Sequence, residues 1–420
     1  MRHMDGIGTT ALHRDPRWIA AAKVALILTA TFLALYYRRP DQFFAPYIWV
    51  EDGTVSLPQY LRDGWRYLFE PVAGYLILPS KLIQLAALTL SGRHYPEIAY
   101  WGNLLFHAAV LCCIAFSRTT LKYPLLCALF TLLIPTDSEV FGTSHYAFWW
   151  GSLLLLPPLL WQQEDTRLPW ARCFMVVLGG LSSPLVVVLL ALFLLRNLLH
   201  RSRNELVITV LAIGCACVQL YFILSSGTHG SSLPDHLSIA LLTEKFLGNF
   251  VYWAPSSPST LWIGDALLAS LVLAALIARK RLQWSHFALA TILAASTLIS
   301  VSRAPLEMID PFGGGPRYFF YPYIFLGWLL IELAPVVPRA LGAVLALAVL
   351  AGLPQFIAYT PRGHHAIDWN AELTRCAEAS TPYNFPIHFT GNRNQLWGVK
   401  LSPAECRRIG TEGLLDRSLQ

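Results

Sequence analysis

Long apolar runs separated by short polar stretches make up most of the 420-residue chain. Such runs are typical of helices that cross a membrane, because about 20 apolar residues span a hydrocarbon core of about 30 Å. Several runs are only about 12–15 residues long and would need neighbouring helices or a water-filled cavity to cross. The pattern predicts an all-α polytopic membrane protein with about eleven transmembrane helices. They are expected near residues 18–37, 96–116, 123–135, 147–162, 170–182, 183–196, 206–224, 260–278, 285–301, 320–334 and 339–358.

The composition supports a membrane protein and excludes a large soluble core. Hydrophobic residues make up 55% of the chain and charged residues only 13%, whereas soluble domains carry about 25% charged residues. The net charge of +6 reflects orientation in the bilayer more than binding to an acidic polymer. Because no basic patch with interleaved aromatic residues occurs, we expect the lipid bilayer as a partner and no nucleic acid.

The first apolar run is predicted to be a retained helix, with the N-terminus in the cytoplasm. Polar residues 1–17 precede it, and no small-residue cleavage site follows it. The run 72–90 is ambiguous, because Pro79 and Lys81 interrupt it. If the run 72–90 crosses the membrane, the basic loops of the chain lie on both sides of the bilayer. If the run is interfacial or re-entrant, most basic loops lie in the cytoplasm, as the positive-inside rule requires. We adopt this second path of the chain through the membrane and call it the threading.

This threading divides the chain into a transmembrane domain, residues 1–358, and a periplasmic C-terminal cap, residues 359–420. The transmembrane domain includes a first periplasmic loop, residues 38–95, in which residues 55–69 predict an amphipathic helix at the membrane surface. Cys376 and Cys406 lie in the polar tail. A disulfide between them is expected if the tail is periplasmic, and two free thiols are the alternative.

Glu51 and Asp52 are the strongest pointer to chemistry, since adjacent carboxylates at a membrane surface raise each other's pKa and structure alone rarely requires them. One of them is a candidate general base, and both are candidate metal ligands. The alternative is a solvated pair that complements the dipole at the start of the surface helix.

A second polar cluster follows in the loop 136–146. Asp137 and Glu139 are two residues apart, so in an extended stretch both side chains would point the same way and could bind a cation or orient an acceptor hydroxyl. His145, Tyr146 and Trp149 could contact a sugar. The alternative is a polar turn beside an interfacial aromatic belt. No cofactor is required, although Mg²⁺ or Mn²⁺ held by the first acidic pair and Glu139 could assist.

Basic residues on the same face are candidates for binding a phosphate. Arg317 follows three glycines, which would let the backbone approach a ligand closely, and Tyr318 follows it. Lys81 and Arg93 lie in the first loop and are further candidates. The alternative for all of these cations is snorkelling to lipid headgroups, and Arg303 is left open between the two.

Motifs for soluble donors are missing. The chain has no P-loop, no Rossmann glycine fingerprint, no zinc spacing and no nucleophile elbow. A donor substrate is therefore expected to arrive through the membrane.

The order of these elements resembles the GT-C superfamily of membrane glycosyltransferases, which use sugars linked to polyprenyl phosphate. It is similar to the lipid A aminoarabinose transferase, protein O-mannosyltransferases and arabinofuranosyltransferases of bacterial envelopes. The matching features are a first span, an acidic pair, an amphipathic loop helix, a juxtamembrane helix, a second acidic loop and a glycine-rich break. They are carried by Glu51-Asp52, the run 72–90, Asp137, Glu139 and Gly179–Pro184. The stretches Trp49-Val50-Glu51-Asp52-Gly53 and Ala73-Gly74-Tyr75-Leu76 also resemble a broad group of uncharacterised bacterial membrane proteins.

The resemblance implies a glycosyltransferase of a bacterial inner membrane that moves a pentose or hexose, arabinofuranose among them, to a hydroxyl of a glycan, lipid or protein. Glu51 or Asp52 would deprotonate the acceptor, and the anomeric centre would invert. Several relatives carry a lysine in the glycine-rich break, where this chain has Ser182 and Ser183. The alternative function is a transporter or flippase of a lipid-linked or small polar solute, which predicts polar residues near the middle of the bilayer.

Overall fold

Six helices form the long elements of the fold. A computed structural model describes residues 16–162, 169–226, 238–255, 257–357, 367–388 and 397–417. Within these residues, six helices are long and apolar enough to cross a membrane. Their bounds are Pro16–Arg38, Tyr95–Phe116, Arg203–Ser225, Pro258–Ala278, Trp284–Arg303 and Arg339–Gly352, the last continued by the 3-10 turn Leu353–Ile357.

The expected count of about eleven spans is wrong for the described residues. The other apolar runs form shorter helices, and at 1.5 Å per residue even a 16-residue helix measures only about 24 Å. Prolines and glycines interrupt these runs, which keeps the individual helices short. The short elements are Pro124–Leu132, Ala147–Ser152, Leu153–Leu155, Leu156–Leu159, Trp170–Gly180, Leu185–His200 and Phe320–Leu333.

The helix Phe320–Leu333 is the centre of the bundle. All 14 of its residues are buried, which is the pattern of a core helix enclosed by other helices. A Cβ on Gly327 would lie 1.9 Å from Phe130 Cε1, so only glycine permits this helix to approach Pro124–Leu132 so closely. The apolar run 320–334 is therefore explained by protein packing.

Polar contacts tie the glycine-rich break to the first loop. Gln219 accepts a hydrogen bond from the Leu76 N–H at 3.0 Å and donates to the Gly180 carbonyl at 3.1 Å. The Leu78 N–H donates to the Leu181 carbonyl at 3.1 Å. These bonds fix the segment that precedes the short helix Leu78–Leu90.

The first loop is helical but irregular. It contains the helix Pro40–Phe44, a π-helical turn Asp52–Ser56, the helix Leu57–Asp63 and the 3-10 helix Gly64–Phe69, where the sequence predicted one surface helix. Gly64 has φ +58°, which ends the α-helical part. The following helix Leu78–Leu90 has 13 residues and is among the shorter apolar helices.

A π-helical segment supports the loop before the glycine triplet. Its elements are Ile239–Leu242, Thr243–Gly248 and Asn249–Val251. Lys245 Nζ donates to the carbonyls of Leu306 and Ile309, both at 2.6 Å. These hydrogen bonds hold the loop in place before the 3-10 turn Pro316–Phe319.

The C-terminal cap, here the described residues 367–388 and 397–417, contains strands and so departs from an all-α fold. Its helices are Trp369–Glu378, Pro403–Thr411 and Leu414–Arg417. Strands Tyr383–His388 and Trp397–Leu401 pair antiparallel, with Phe385 opposite Val399. Cys376 and Cys406 form a disulfide, which is the bond expected from the sequence.

Candidate active site

A cavity of about 540 Å³ lies where the first loop, the loop 136–146 and five helices meet. Residues of two kinds form its wall. The polar and aromatic residues include Glu51, Tyr75, His145, Tyr146, Trp149, Arg303, Arg317 and Tyr318. The apolar residues include Leu185, Val187, Val188, Ile223 and Ile299. The cavity therefore suits a ligand that has a charged or polar head and an apolar tail.

Glu51 is the member of the acidic pair that lines the cavity. It is half-buried and immediately precedes the π-helical turn Asp52–Ser56. Burial raises the pKa of the Glu51 carboxyl, Arg317 lowers it, and the charge of Glu139 raises it. A carboxylate of raised pKa is a stronger base than an ordinary surface glutamate.

Asp52 points away from the cavity and organises the loops behind it. Its fully buried carboxylate accepts hydrogen bonds from Ser144 Oγ at 3.0 Å and from the backbone N–H groups of Trp49 and His145 at 3.2 and 3.3 Å. The Gln84 side-chain amide is a fourth donor. Burial raises the pKa of Asp52 to about 7, against the effect of these donors. Asp52 thus joins both acidic loops.

The carboxylate of Glu139 is buried and forms an ion pair with Arg317. The Arg317 guanidinium donates to Glu139 Oε1, and the Arg317 backbone N–H donates to Oε2 at 3.2 Å. The Tyr146 hydroxyl donates to Glu139 Oε1 at 3.3 Å. The guanidinium in turn lies 5.2 Å from the centre of the Tyr318 ring. Arg317 and Tyr318 therefore reach the cavity as predicted, whereas Glu139 lies behind them.

Asp137 lies away from the cavity, contrary to the expected pairing of its side chain with Glu139. The segment turns at residues 138–140 and is not extended, because the Phe141 N–H bonds the Ser138 carbonyl at 3.0 Å. The Asp137 N–H donates to the Pro311 carbonyl at 2.7 Å. In the part of the chain that is described, no three His, Cys, Asp or Glu side chains come together as a metal site. Glu51, Asp52 and Glu139 each have different surroundings.

His145, Tyr146 and Trp149 line the cavity beside Glu51, as predicted. Burial lowers the pKa of His145 to about 3, with smaller effects of Arg317 and Lys81. Its imidazole is therefore neutral at physiological pH. The Trp149 ring lies 4.8 Å from the Tyr321 ring at an interplanar angle of 35°. These side chains form an aromatic floor against which a sugar ring can pack.

Lys81 and Arg93 do not reach the cavity, so we no longer assign them a phosphate. Lys81 is buried, and its ammonium group donates to Gln59 Oε1 at 2.9 Å and to the carbonyls of Tyr67 and Glu70 at 2.6 and 2.5 Å. An ammonium group has three N–H donors, and all are used. Arg93 Nε donates to the Gly410 carbonyl at 3.0 Å in the C-terminal cap.

Two site-forming arginines were missed by the sequence analysis. Arg38 Nη1 donates to the Ile134 carbonyl at 3.0 Å, and Arg39 Nη1 donates to the Phe141 carbonyl at 2.7 Å. Both arginines are buried. They hold the second acidic loop against the first span. Their position next to a span end was the only available signal.

Arg303, left open from the sequence, also lines the cavity. It is exposed, at the end of the helix Trp284–Arg303. No carboxylate pairs with it within the described ranges, in contrast to Arg317. It is therefore a cation available to an anionic ligand.

A scan against protein-family models gives no match, and searches of curated proteins and of solved structures give none either.

Proposed function

We propose that the protein is a GT-C-type integral membrane glycosyltransferase. It would transfer a pentose or hexose, arabinofuranose among the candidates, from a polyprenyl-phosphate carrier to a hydroxyl of a cell-envelope glycan, lipid or protein. One observation carries the proposal. Glu51, Arg303 and Arg317 line one cavity that is also lined by many apolar side chains.

The arginines would stabilise the leaving group. When the glycosidic bond to a polyprenyl phosphate breaks, negative charge grows on the phosphate. Arg303 has no carboxylate partner in the described structure, and its full charge would act on that phosphate. Arg317 is neutralised by Glu139 but keeps N–H groups and a position above Tyr318. The apolar residues of the cavity would hold the first isoprene units.

Glu51 would act as the general base. Its carboxylate would take the proton of the acceptor hydroxyl as the oxygen attacks the anomeric carbon, and the polyprenyl phosphate would leave with the bonding electron pair. A single displacement of this kind inverts the anomeric centre. Asp52, which four donors hold behind the wall, would position the loops without touching substrate.

The proposed reaction would take place on the periplasmic side of a bacterial inner membrane. The donor would enter from the lipid, and the acceptor would pack on the floor formed by His145, Tyr146 and Trp149.

The test is a transfer assay with purified protein in nanodiscs. A panel of polyprenyl-phosphate pentoses and hexoses would be supplied with acceptor glycans, lipids and peptides, and release of polyprenyl phosphate would be followed by thin-layer chromatography. We expect one donor class to react. In Glu51→Gln we expect kcat to fall by about 10²–10⁴-fold, the usual contribution of a general base.

Glu307→Gln is the matched control, because Glu307 is exposed and is not a cavity residue. It should keep wild-type activity. Full activity of Glu51→Gln would exclude Glu51 as the base. Protein-dependent movement of the lipid across vesicles, with no release of phosphate from any donor, would favour the transport alternative.

A further inference from the structure

The C-terminal cap contacts the turn that carries Glu51. Ile387 lies on strand Tyr383–His388 and is 2% exposed. A Cβ built on Gly53 would lie 2.5 Å from Ile387 Cδ1 and 2.6 Å from Cγ2. The side chain of Ile387 therefore rests directly on the Gly53 backbone, and a larger residue at position 53 would displace it.

Gly53 belongs to the turn that presents Glu51. The Gly53 N–H donates to the Trp49 carbonyl at 3.1 Å, and Thr54 Oγ1 donates to the Val50 carbonyl at 2.8 Å. These two bonds close the backbone around Glu51. A displacement of Gly53 would therefore also move the backbone that carries Glu51.

The contact is part of a wider interface. Leu57 and Leu61 of the first loop belong to the same buried cluster as Phe385, Ile387 and the two cap cysteines. Arg408 Nη1 donates to the Leu61 carbonyl at 2.7 Å. Trp369 Nε1 donates to the Gly92 carbonyl at 2.8 Å. The cap is therefore anchored at both ends of the segment 53–92.

The disulfide encloses the strand that carries Ile387. Cys376 and Cys406 are 30 residues apart in sequence, and both strands lie between them. Both cysteines are buried. The bond restricts the freedom of the two strands, one of which contacts Gly53.

We propose that the cap is a positioning element for Glu51, with Ile387 as the positioning residue that acts through Gly53. The inference rests on the proposed role of Glu51. Without the cap contact, the turn 49–53 would loosen and Glu51 would sample positions outside hydrogen-bond reach of the acceptor. Misplacement of about 1 Å can cost about a hundredfold in rate.

The test compares Ile387→Ala with Leu373→Ala in the full-length protein. Leu373 belongs to the same buried cluster but lies on the helix Trp369–Glu378, so its truncation weakens the cap without removing the group on Gly53. Hydrogen–deuterium exchange of the peptide 49–57 and steady-state kinetics would be measured. We expect faster exchange and an about ten- to hundredfold lower kcat only in Ile387→Ala, with donor KM within about twofold of wild type.

Two further variants sharpen the test. Ile387→Val keeps a branched side chain on Gly53 and should restore protection and rate. Gly53→Ala should reproduce Ile387→Ala. Unchanged exchange of peptide 49–57 in both Ile387→Ala and Gly53→Ala would overturn the inference. If exchange responds as expected while the wild type transfers no sugar, the cap contact stands and the proposed reaction fails.

Discussion

The backbone N–H of Arg317 donates to Glu139 Oε2 at 3.2 Å, while the guanidinium of the same arginine donates to Oε1. Arg317 thus donates hydrogen bonds to both oxygens of the Glu139 carboxylate, one from its backbone and one from its side chain. The pair neutralises Arg317 within the cavity wall and leaves Arg303 as the cation without a carboxylate partner in the described structure. We therefore expect Arg317 to contribute mainly to stability and Arg303 mainly to ligand binding.

Arg317 should matter for stability through Glu139. In Arg317→Met the Glu139 carboxylate, 6% exposed, loses its counter-charge. Because Arg317 is itself about one-third exposed, we expect a cost of about 1–3 kcal/mol, below the 3–5 kcal/mol of a fully buried pair. The apparent unfolding midpoint in detergent would report it. The double variant Arg317→Met/Glu139→Gln should recover most of the loss, and failure to recover would show that the two side chains are not coupled.

Arg303 should matter for ligand binding and little for stability. It is exposed and has no carboxylate partner in the described ranges, so Arg303→Met should leave the unfolding midpoint within the ±0.5 kcal/mol typical of surface changes. The Kd for polyprenyl phosphate should rise by about ten- to hundredfold, since a charge-assisted hydrogen bond contributes roughly 1.5–3 kcal/mol. Native mass spectrometry of lipid titrations would measure this Kd. Arg279→Met, at an exposed arginine that is not a cavity residue, is the control, and equal Kd values would remove Arg303 from the site.

The pH dependence of transfer should follow Glu51. Burial raises the pKa of this carboxyl, and a base must be deprotonated, so kcat/KM should rise with pH with an apparent pKa above the ordinary glutamate value of about 4.3. Arg317 lowers the pKa of Glu51 and Glu139 raises it. Arg317→Met should therefore shift the acidic limb of the profile to higher pH, and Glu139→Gln should shift it to lower pH. Shifts in the same direction would contradict the assignment.

Asp52 should make stability depend on pH. Burial raises its pKa to about 7 in the folded protein, whereas the unfolded chain has a value of about 3.9. The folded state therefore binds the proton more tightly. The contribution of Asp52 to the free energy of unfolding is fully present below about pH 4 and is lost as pH rises towards about 7, by at most roughly 4 kcal/mol.

Asp52→Asn removes this titration. The unfolding midpoint of Asp52→Asn minus that of the wild type should increase between pH 4 and pH 7, whatever its sign at pH 4. Asp63→Asn is the matched control, because Asp63 belongs to the same loop and is only half-buried. A difference that stays constant with pH would show that Asp52 titrates alike in both states.

The sequence predicted residues of the cavity better than it predicted the number of membrane spans. Adjacent carboxylates after a first span drew attention to Glu51, and a glycine triplet drew attention to Arg317, and both residues line the cavity. Which carboxylate faces the cavity was not predictable, since a π-helical turn sets the direction of both side chains and has no simple sequence signature. The partners of Lys81 are backbone carbonyls, which a sequence does not reveal.

Hydrophobicity alone also overcounted the spans. The run 320–334 is as apolar as a lipid-facing helix, yet every residue of Phe320–Leu333 is buried by protein. Arg38 and Arg39 were not among the site residues predicted from the sequence. Their carbonyl contacts join segments about 100 residues apart, as in the pairs Arg38–Ile134 and Arg39–Phe141. Long-range contacts of this kind are decided by packing and not by local pattern.

The most direct test of the central claim is a cryo-electron microscopy map of the protein purified with its native lipids. The account predicts density for an isoprenoid chain along Val187, Val188 and Ile299, with its phosphate at Arg303 and Arg317 and within reach of Glu51. A cavity holding a polar solute, with no lipid chain and with an open path to both sides of the bilayer, would contradict it.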